Sequence, residues 1–290
     1  MADEKLIEPN KDSVTYSSYL KVDQLLNLQH TLSKPEEHDE TLFIIIHQVY
    51  ELWFKQILHE LGQLELLIKN DNLMPFIKTI SRINTILTTL TNQVDILETM
   101  TPIDFNRFRG RLNPASGFQS YQFRLVEFKM GVRDKAYLKF YKAHKSAQTI
   151  LENELQKKSI YDEFLAYVDR RGFKIPEAIL NRDVSLTYQP SDEVVKVFVE
   201  AYNKYKEYYD LYLAAEALIE LDQKFLLWRY RHVAMVERMI GNRMGTGGSS
   251  GTKYLSATLS KRFFPELWSV RNELGPTYGM QQELPLKDKQ

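Results

Sequence analysis

The sequence predicts an all-α protein, bundle-like in its packing and built as a single domain over residues 1–290. Apolar residues recur at steps of three and four over long stretches, and no convincing pair of alternating segments stands ready to form a hairpin. The longest periodic stretch, Asp192 to Ile240, contains neither proline nor glycine.

From Glu40 to about Lys69 the repeat runs Phe43, Ile46, Tyr50, Phe54, Ile57, Leu61 and Leu64, which predicts one long amphipathic helix. Pro75 suits the first turn of a second helix, whose stripe is Phe76, Ile80, Ile83, Ile86, Leu87, Leu90, Val94 and Leu97 and which ends near Thr101-Pro102. A short segment from Asp104 carries Phe105, Phe108 and Arg109. Asn113-Pro114-Ala115-Ser116-Gly117 then breaks the pattern, and periodicity resumes at Phe118, Tyr121, Leu125 and Phe128. Residues 134–172 predict two or three shorter helices, and Asn181 to Pro190 a loop with a brief extended piece. Asp192 to Ile240 is long for one globular helix, so the run leaves room for a bend or short break. Five of the twelve glycines then fall between Gly241 and Gly251, followed by a helix over Tyr254 to Phe264, Pro265 and a polar tail.

A chain of 290 residues can bury a sizeable core without staples. Its 38 basic and 38 acidic residues cancel, so no global field draws nucleic acid or an anionic membrane. Cysteine is absent, which excludes disulfides and thiolate chemistry and suits a reducing compartment. The polar N-terminus MADEKLIEPNKDSV lacks the apolar core of a secretory signal, and LFIII is far too short to span a membrane. The expected setting is the cytoplasm.

Chemistry must then rest on histidine, carboxylates, arginine and backbone. His47 sits within LFIIIHQVYELW, the most apolar run, in line with Phe43, Tyr50 and Phe54. An imidazole buried there without a partner would cost roughly 1–3 kcal/mol, so a carbonyl, side chain, metal or ligand should meet it. His232 in LLWRYRHVAMVERM repeats the pattern, flanked by Trp228, Met235 and Val236. Either histidine alone is more often a satisfied core residue. With no cysteine or Glu-x-x-His motif beside them, they fit zinc or di-iron poorly, whereas a haem needs only one imidazole and an apolar slot. His30, His38, His59 and His144 read as surface residues.

GTGGSSG matches neither a P-loop nor a dinucleotide fingerprint, because Lys253 is misplaced and a helix precedes it. It is either a linker or a covering loop whose amides, with the hydroxyls of Thr246, Ser249 and Ser250, fold over a small polar group. Arg109 among aromatics is either a carboxylate clamp or an exposed ion pair, and Ser116 by itself is ordinary turn chemistry.

Taken together, HDETLFIIIHQVYELWFKQILHEL, ILETMTPIDFNRFRGRLNPASGFQSYQFR and WRYRHVAMVERMIGNRMGTGGSSG closely resemble the tryptophan 2,3-dioxygenases, in the same order and spacing. The resemblance runs from TYSSYLKVDQLL to the helix after the glycine loop and is less clear over residues 134–190. It implies an all-α homotetramer, a dimer of dimers, with one haem b per subunit. Ferrous iron there, with dioxygen, would open the indole C2–C3 bond of L-tryptophan to give N-formylkynurenine, the first step of the kynurenine pathway. By the same resemblance His232 is the proximal iron ligand, with Trp228 and Ser116 beside the haem, and His47 is the distal histidine facing the indole N–H. Arg109 would pair with the substrate carboxylate and Thr246 with its head group, while Phe43 and Phe105 line the indole pocket. Phe105 stands where some relatives carry tyrosine, so no phenol is implied there. Tyr16, Tyr19 and Leu20, in an N-terminal segment over residues 1–38, would reach the neighbouring subunit's site, and residues 241–253 would be a mobile cover. Two rivals share these residues: a haem enzyme inserting one oxygen into an indole without the amino-acid head, and a haem or tryptophan sensor without turnover.

Overall fold

The structure is a computed structural model and describes residues 13–248 and 250–275. Among these residues every regular element is helical. An N-terminal arm carries α1 (Tyr16–Leu20) and α2 (Val22–Leu25), neither with a buried residue. Then come the long helices α3 (His38–Lys69) and α4 (Leu73–Leu97), joined by a three-residue turn that folds one back on the other. All eight stripe residues of α4 are buried: those from Phe76 to Leu90 share one core with Phe54, Ile57, Leu61 and Leu64 of α3, and Val94 and Leu97 share a second with Ile46.

α5 (Pro102–Arg109) starts at Thr101, whose hydroxyl accepts from the Asp104 amide while the Asp104 carboxylate accepts from the Thr101 amide. Two 3₁₀ turns, Gly110–Leu112 and Gly117–Gln119, bracket the expected break, and α6 (Tyr121–Lys129) follows under a Ser120 cap. Next are a 3₁₀ segment, Lys135–Tyr141, then α7 (Lys145–Glu154), α8 (Ile160–Arg170) and the short α9 (Glu177–Leu180).

The extended piece expected within residues 181–190 forms no strand. Its polar groups are consumed by turns and by neighbouring elements instead: Arg182 pairs with Asp162 of α8 at 2.7 Å, and the Ser185 amide donates to Asp183 at 2.9 Å. The run from Asp192 breaks into α10 (Asp192–Asn203) and α11 (Tyr209–Ile240). The two halves have different partners, α10 packing mainly on the C-terminal elements and α11 along α4, so one straight helix could not serve both.

The helix expected over Tyr254–Phe264 is shorter than its periodicity suggests. α12 (Thr252–Ala257) gives way to a 3₁₀ turn, after which the buried Asp222 carboxylate of α11 accepts from the amides of Phe263 (2.9 Å) and Phe264 (3.3 Å). Pro265 then opens α13 (Pro265–Ser269), where a missing N–H costs nothing, instead of ending the fold. No helix among the described residues is long and apolar enough to cross a membrane.

Candidate active site

Between α3, α4, α5 and α11 lies a cleft of about 310 Å³. Ile46, His47 and Tyr50 of α3 line one wall, Val94 and Leu97 of α4 a second, and His232, Val233 and Val236 of α11 a third. Periodicity explains the meeting, because each helix turns a single apolar stripe inward and each imidazole interrupts that stripe.

His47 lines the cleft and is exposed within it. Burial pushes its pKa down, opposed by the Phe43 carbonyl and the charge of Glu51. Nδ1 lies 2.7 Å from that carbonyl oxygen, which can only accept, so Nδ1 carries the proton and Nε2 is left as an acceptor. His232 differs: among the described residues no hydrogen bond reaches its ring, and the Trp228 indole stacks on it at 5.3 Å with the planes 5° apart. Burial, and secondarily His47, push its pKa down to about 4, so it is neutral near pH 7 with a lone pair to give. Both imidazoles line the same cleft.

Aromatic rings make the inner wall. Phe123 of α6 lies 5.1 Å from Trp228 and 5.4 Å from Phe54. Trp228 Nε1 is buried without a well-formed hydrogen bond among the described residues; the nearby Tyr50 hydroxyl donates to the Leu90 carbonyl at 2.6 Å. Beyond these rings the cleft turns charged. Glu127 of α6 is buried between Arg124 and Arg229, accepting from Arg229 at 3.1 Å, and these two arginines with Lys261 hold its carboxyl below the usual range against the pull of burial. The Arg124 guanidinium lies 3.3 Å over the Tyr137 ring, and the hydroxyl of Tyr137 meets that of Tyr254. Of the charged residues lining the cleft, Arg109, Arg124 and Arg229 outnumber Glu51 and Glu127.

The outer end is closed by the segment after α11. Arg109 Nη2 donates to the Met244 carbonyl, and the Thr246 hydroxyl donates to the Ala115 carbonyl at 2.6 Å. Gly247 packs so close to Ser116 that a Cβ there would sit 2.5 Å from the serine Cβ. At Gly251 the backbone has φ of 60° and a Cβ would meet the Arg243 carbonyl at 2.5 Å, so two glycines are dictated by contact and conformation. Arg109 has no carboxylate partner among the described residues, which removes the exposed ion pair as its explanation.

Most of the residues expected at a site therefore meet: His47, Phe105, Arg109, Ser116, Trp228, His232 and Thr246 all line the cleft. Phe43 stands one layer behind, its ring 4.1 Å from His47 and 5.6 Å from Phe105. Tyr16, Tyr19 and Leu20 do not line the cleft of their own chain; they are 79%, 76% and 46% exposed on the arm. Ser249 lies outside the described residues, and Ser250 is exposed. His30, His38, His59 and His144 are exposed, as expected. Tyr50, Phe123, Arg124, Glu127, Arg229 and Tyr254 were not anticipated. The Arg124–Glu127 spacing of three on α6 was the one visible trace, since it permits a same-face ion pair.

The fit to a haem can be judged on the cleft itself. Among the described residues no group of three or more His, Cys, Asp or Glu could hold a bare metal ion. A macrocycle that brings its own equatorial nitrogens needs only His232, flat apolar walls, and cations to meet its carboxylates. The aromatic wall and the arginine excess beyond it meet those requirements.

The sequence matches the family model described as Tryptophan 2,3-dioxygenase over residues 3–157 and 196–274. A tryptophan 2,3-dioxygenase of Herpetosiphon aurantiacus is 49% identical over 262 residues, covering 90% of this chain and 99% of the relative. One of Caulobacter vibrioides is 46% identical over 261 residues, covering 90% and 98%, and one of Bacillus thuringiensis subsp. konkukian is 43% identical over 264 residues, covering 91% and 94%. With matches of this extent, and with two imidazoles and an arginine gathered in one cleft, the chain belongs to the tryptophan 2,3-dioxygenase family.

Proposed function

We propose that the cleft holds one haem b, ferrous in the active form, on His232, and that His47, Arg109 and Thr246 orient L-tryptophan against it. The reaction is the family's: both atoms of dioxygen enter L-tryptophan as the indole C2–C3 bond opens to N-formylkynurenine. The observation that carries the assignment of residues is the asymmetry of the two imidazoles. One is tied through Nδ1 and leaves Nε2 as an acceptor; the other is neutral and, among the described residues, without a hydrogen bond.

When bound, haem supplies the iron centre at which dioxygen is activated. The rest falls to the chain. His232 would hold the haem iron through its neutral imidazole, Trp228 would keep that ring in plane by stacking, and Ser116, packed against Gly247, would line the haem pocket. Arg124 and Arg229, whose guanidinium groups are already held by Glu127, would meet the haem carboxylates. His47 Nε2 accepts the indole N–H. Because the indole N–H is a very weak acid, the histidine serves as a positioning acceptor without having to remove the proton. Phe105 flanks the ring, with Phe43 backing both it and His47. The Arg109 fork takes the substrate carboxylate, exchanging the Met244 carbonyl for a charged partner. The Thr246 hydroxyl donates its hydrogen bond to the Ala115 carbonyl, so its oxygen is free to accept from the substrate ammonium. Fixing both ends of the substrate makes the encounter with dioxygen effectively unimolecular. Residues 241–253 act as a mobile cover that excludes water.

Residues 1–290 form one domain on this reading, and the protein works in the cytoplasm as a homotetramer, a dimer of dimers. The exposed Tyr16, Tyr19 and Leu20 of the 1–38 segment complete the cleft of a neighbouring copy. The test is to load the protein with haem, reduce it, add L-tryptophan in air and follow N-formylkynurenine by its near-ultraviolet absorbance and mass. Haem-dependent accumulation over many turnovers supports the reading. A product heavier by one oxygen, or haem binding without turnover, overturns it in favour of an indole monooxygenase or a sensor.

A further inference from the structure

We propose that Glu40 is a positioning residue that sets the direction in which the N-terminal arm leaves the subunit. The inference rests on the reading that Tyr16 and Tyr19 serve a neighbouring copy's cleft, and it deepens that reading. Packing does not orient the arm: α1 and α2 contain no buried residue, and Val14, Tyr16, Tyr19, Leu26 and Leu28 are all more than half exposed. Polar bonds at its root do. The Glu40 carboxylate, 1% exposed in the first turn of α3, accepts from the Leu32 amide at 2.7 Å, the Ser33 amide at 3.0 Å and the Ser33 hydroxyl. Ser33 is itself buried, and its hydroxyl oxygen accepts from the Glu37 amide at 2.9 Å. Two turns further along α3, Gln48 accepts from Gln29 Nε2 at 2.7 Å and donates to the Leu28 carbonyl at 3.1 Å.

The arm is thus tied to α3 on both sides of Phe43 and His47. A third tie, Arg107 to Glu37 at 3.7 Å, reaches α5, which carries Phe105 and Arg109. A buried carboxylate bonded to three donors within two consecutive residues fixes the chain direction there, because any rotation of the backbone strands a buried charge. These bonds also hold the Glu40 carboxyl below its ordinary range although burial pulls it upward.

The experiment compares Glu40→Gln, Glu40→Asp and Ser33→Ala with a Tyr16→Ala/Tyr19→Ala double variant, all as full-length, haem-loaded protein. Glu40→Gln is expected to raise the KM for L-tryptophan about tenfold with kcat changed less than about threefold. It should also speed proteolysis within residues 13–32 while leaving the haem spectrum unaltered. Glu40→Asp, which keeps the charge, should recover part of the KM, and Ser33→Ala should shift it in the same direction by a smaller factor. If the tyrosine variant raises KM while Glu40→Gln and Ser33→Ala leave KM and proteolysis at wild-type values, Glu40 has no positioning role and the reading of the arm stands. If the tyrosine variant itself leaves KM unchanged, the arm does not serve the site and both fail. Should Glu40→Gln fold poorly, Ser33→Ala decides: a shifted KM supports the proposal and an unchanged one overturns it.

Discussion

Replacing Arg109 by lysine tests the substrate clamp most directly. The guanidinium lines both the cleft and an adjoining polar recess beside Asn106, Asn113 and Met244, and among the described residues it donates only to the Met244 carbonyl. A charge-assisted bond from arginine to a carboxylate contributes roughly 1.5–3 kcal/mol, and two parallel N–H donors add geometry to charge. Lysine keeps the charge but not the planar fork, so it cannot offer a carboxylate two parallel donors in fixed geometry. Losing about half of the bond, roughly 1–1.5 kcal/mol, raises the KM for L-tryptophan about five- to tenfold with a smaller change in kcat. The assay is steady-state kinetics on L-tryptophan beside inhibition by tryptamine, which has the indole and ammonium but no carboxylate. Tryptamine inhibition should stay within about twofold of wild type. Equal weakening of both molecules would refute the clamp, since the loss would then be one of packing, and so would an unchanged KM.

Four further outcomes are expected. His232→Ala should lose haem or its coordination, read from the Soret band and haem content; a normal five-coordinate imidazole spectrum in that variant counts against the assignment. His47→Ala should retain haem and slow turnover about tenfold, the worth of one lost hydrogen bond of roughly 1–1.5 kcal/mol, and loss of haem instead would place His47 on the wrong side. Gly247→Ala pushes a methyl into Ser116, an overpacking of about 1–3 kcal/mol that should displace the 241–251 segment and lower activity with haem intact. Adding Ser116→Gly removes the clashing Cβ and should recover part of that loss; no recovery would mean the clash is not the cause.

The fourth concerns pH. Burial raises the Asp222 carboxyl above its ordinary value against three N–H donors, from Trp268, Phe263 and Phe264, and the nearby Arg229. The folded state therefore holds this proton more tightly than the unfolded state does. The stabilisation is complete below the ordinary carboxylate value of about 3.9 and is lost as pH rises through the raised folded value. Urea unfolding of wild type against Asp222→Asn should show wild type losing ground as pH increases over that window, and a pH-independent difference would contradict it.

How much of this was legible depends on the distance over which each feature is decided. The spans of α3 and α4 followed from steps of three and four because a helix buries whatever stripe its own neighbours define. The bond from His47 Nδ1 to Phe43 is equally local, four residues along one helix, and it answers the question that a histidine in an apolar run raises. The break at residues 204–208 was not locatable, because no proline or glycine marks it and only the different partners of α10 and α11 require it.

The sequence by itself determined the helical class, the long helices, both cleft histidines, and Arg109 and Thr246 as candidates, through local periodicity and motifs that keep their order. Only the tertiary structure decided that Arg109 lacks a carboxylate partner among the described residues and that Arg124, Glu127 and Arg229 form a buried charged end to the cleft. It also decided that the exposed tyrosines of the arm stand outside their own chain's cleft. Glu127 and Arg229 are 102 residues apart, and Arg109 and Met244 are 135 apart. A side chain's charge and its helix can be read from its neighbours in sequence, but its burial and its partners depend on which helices the core brings together.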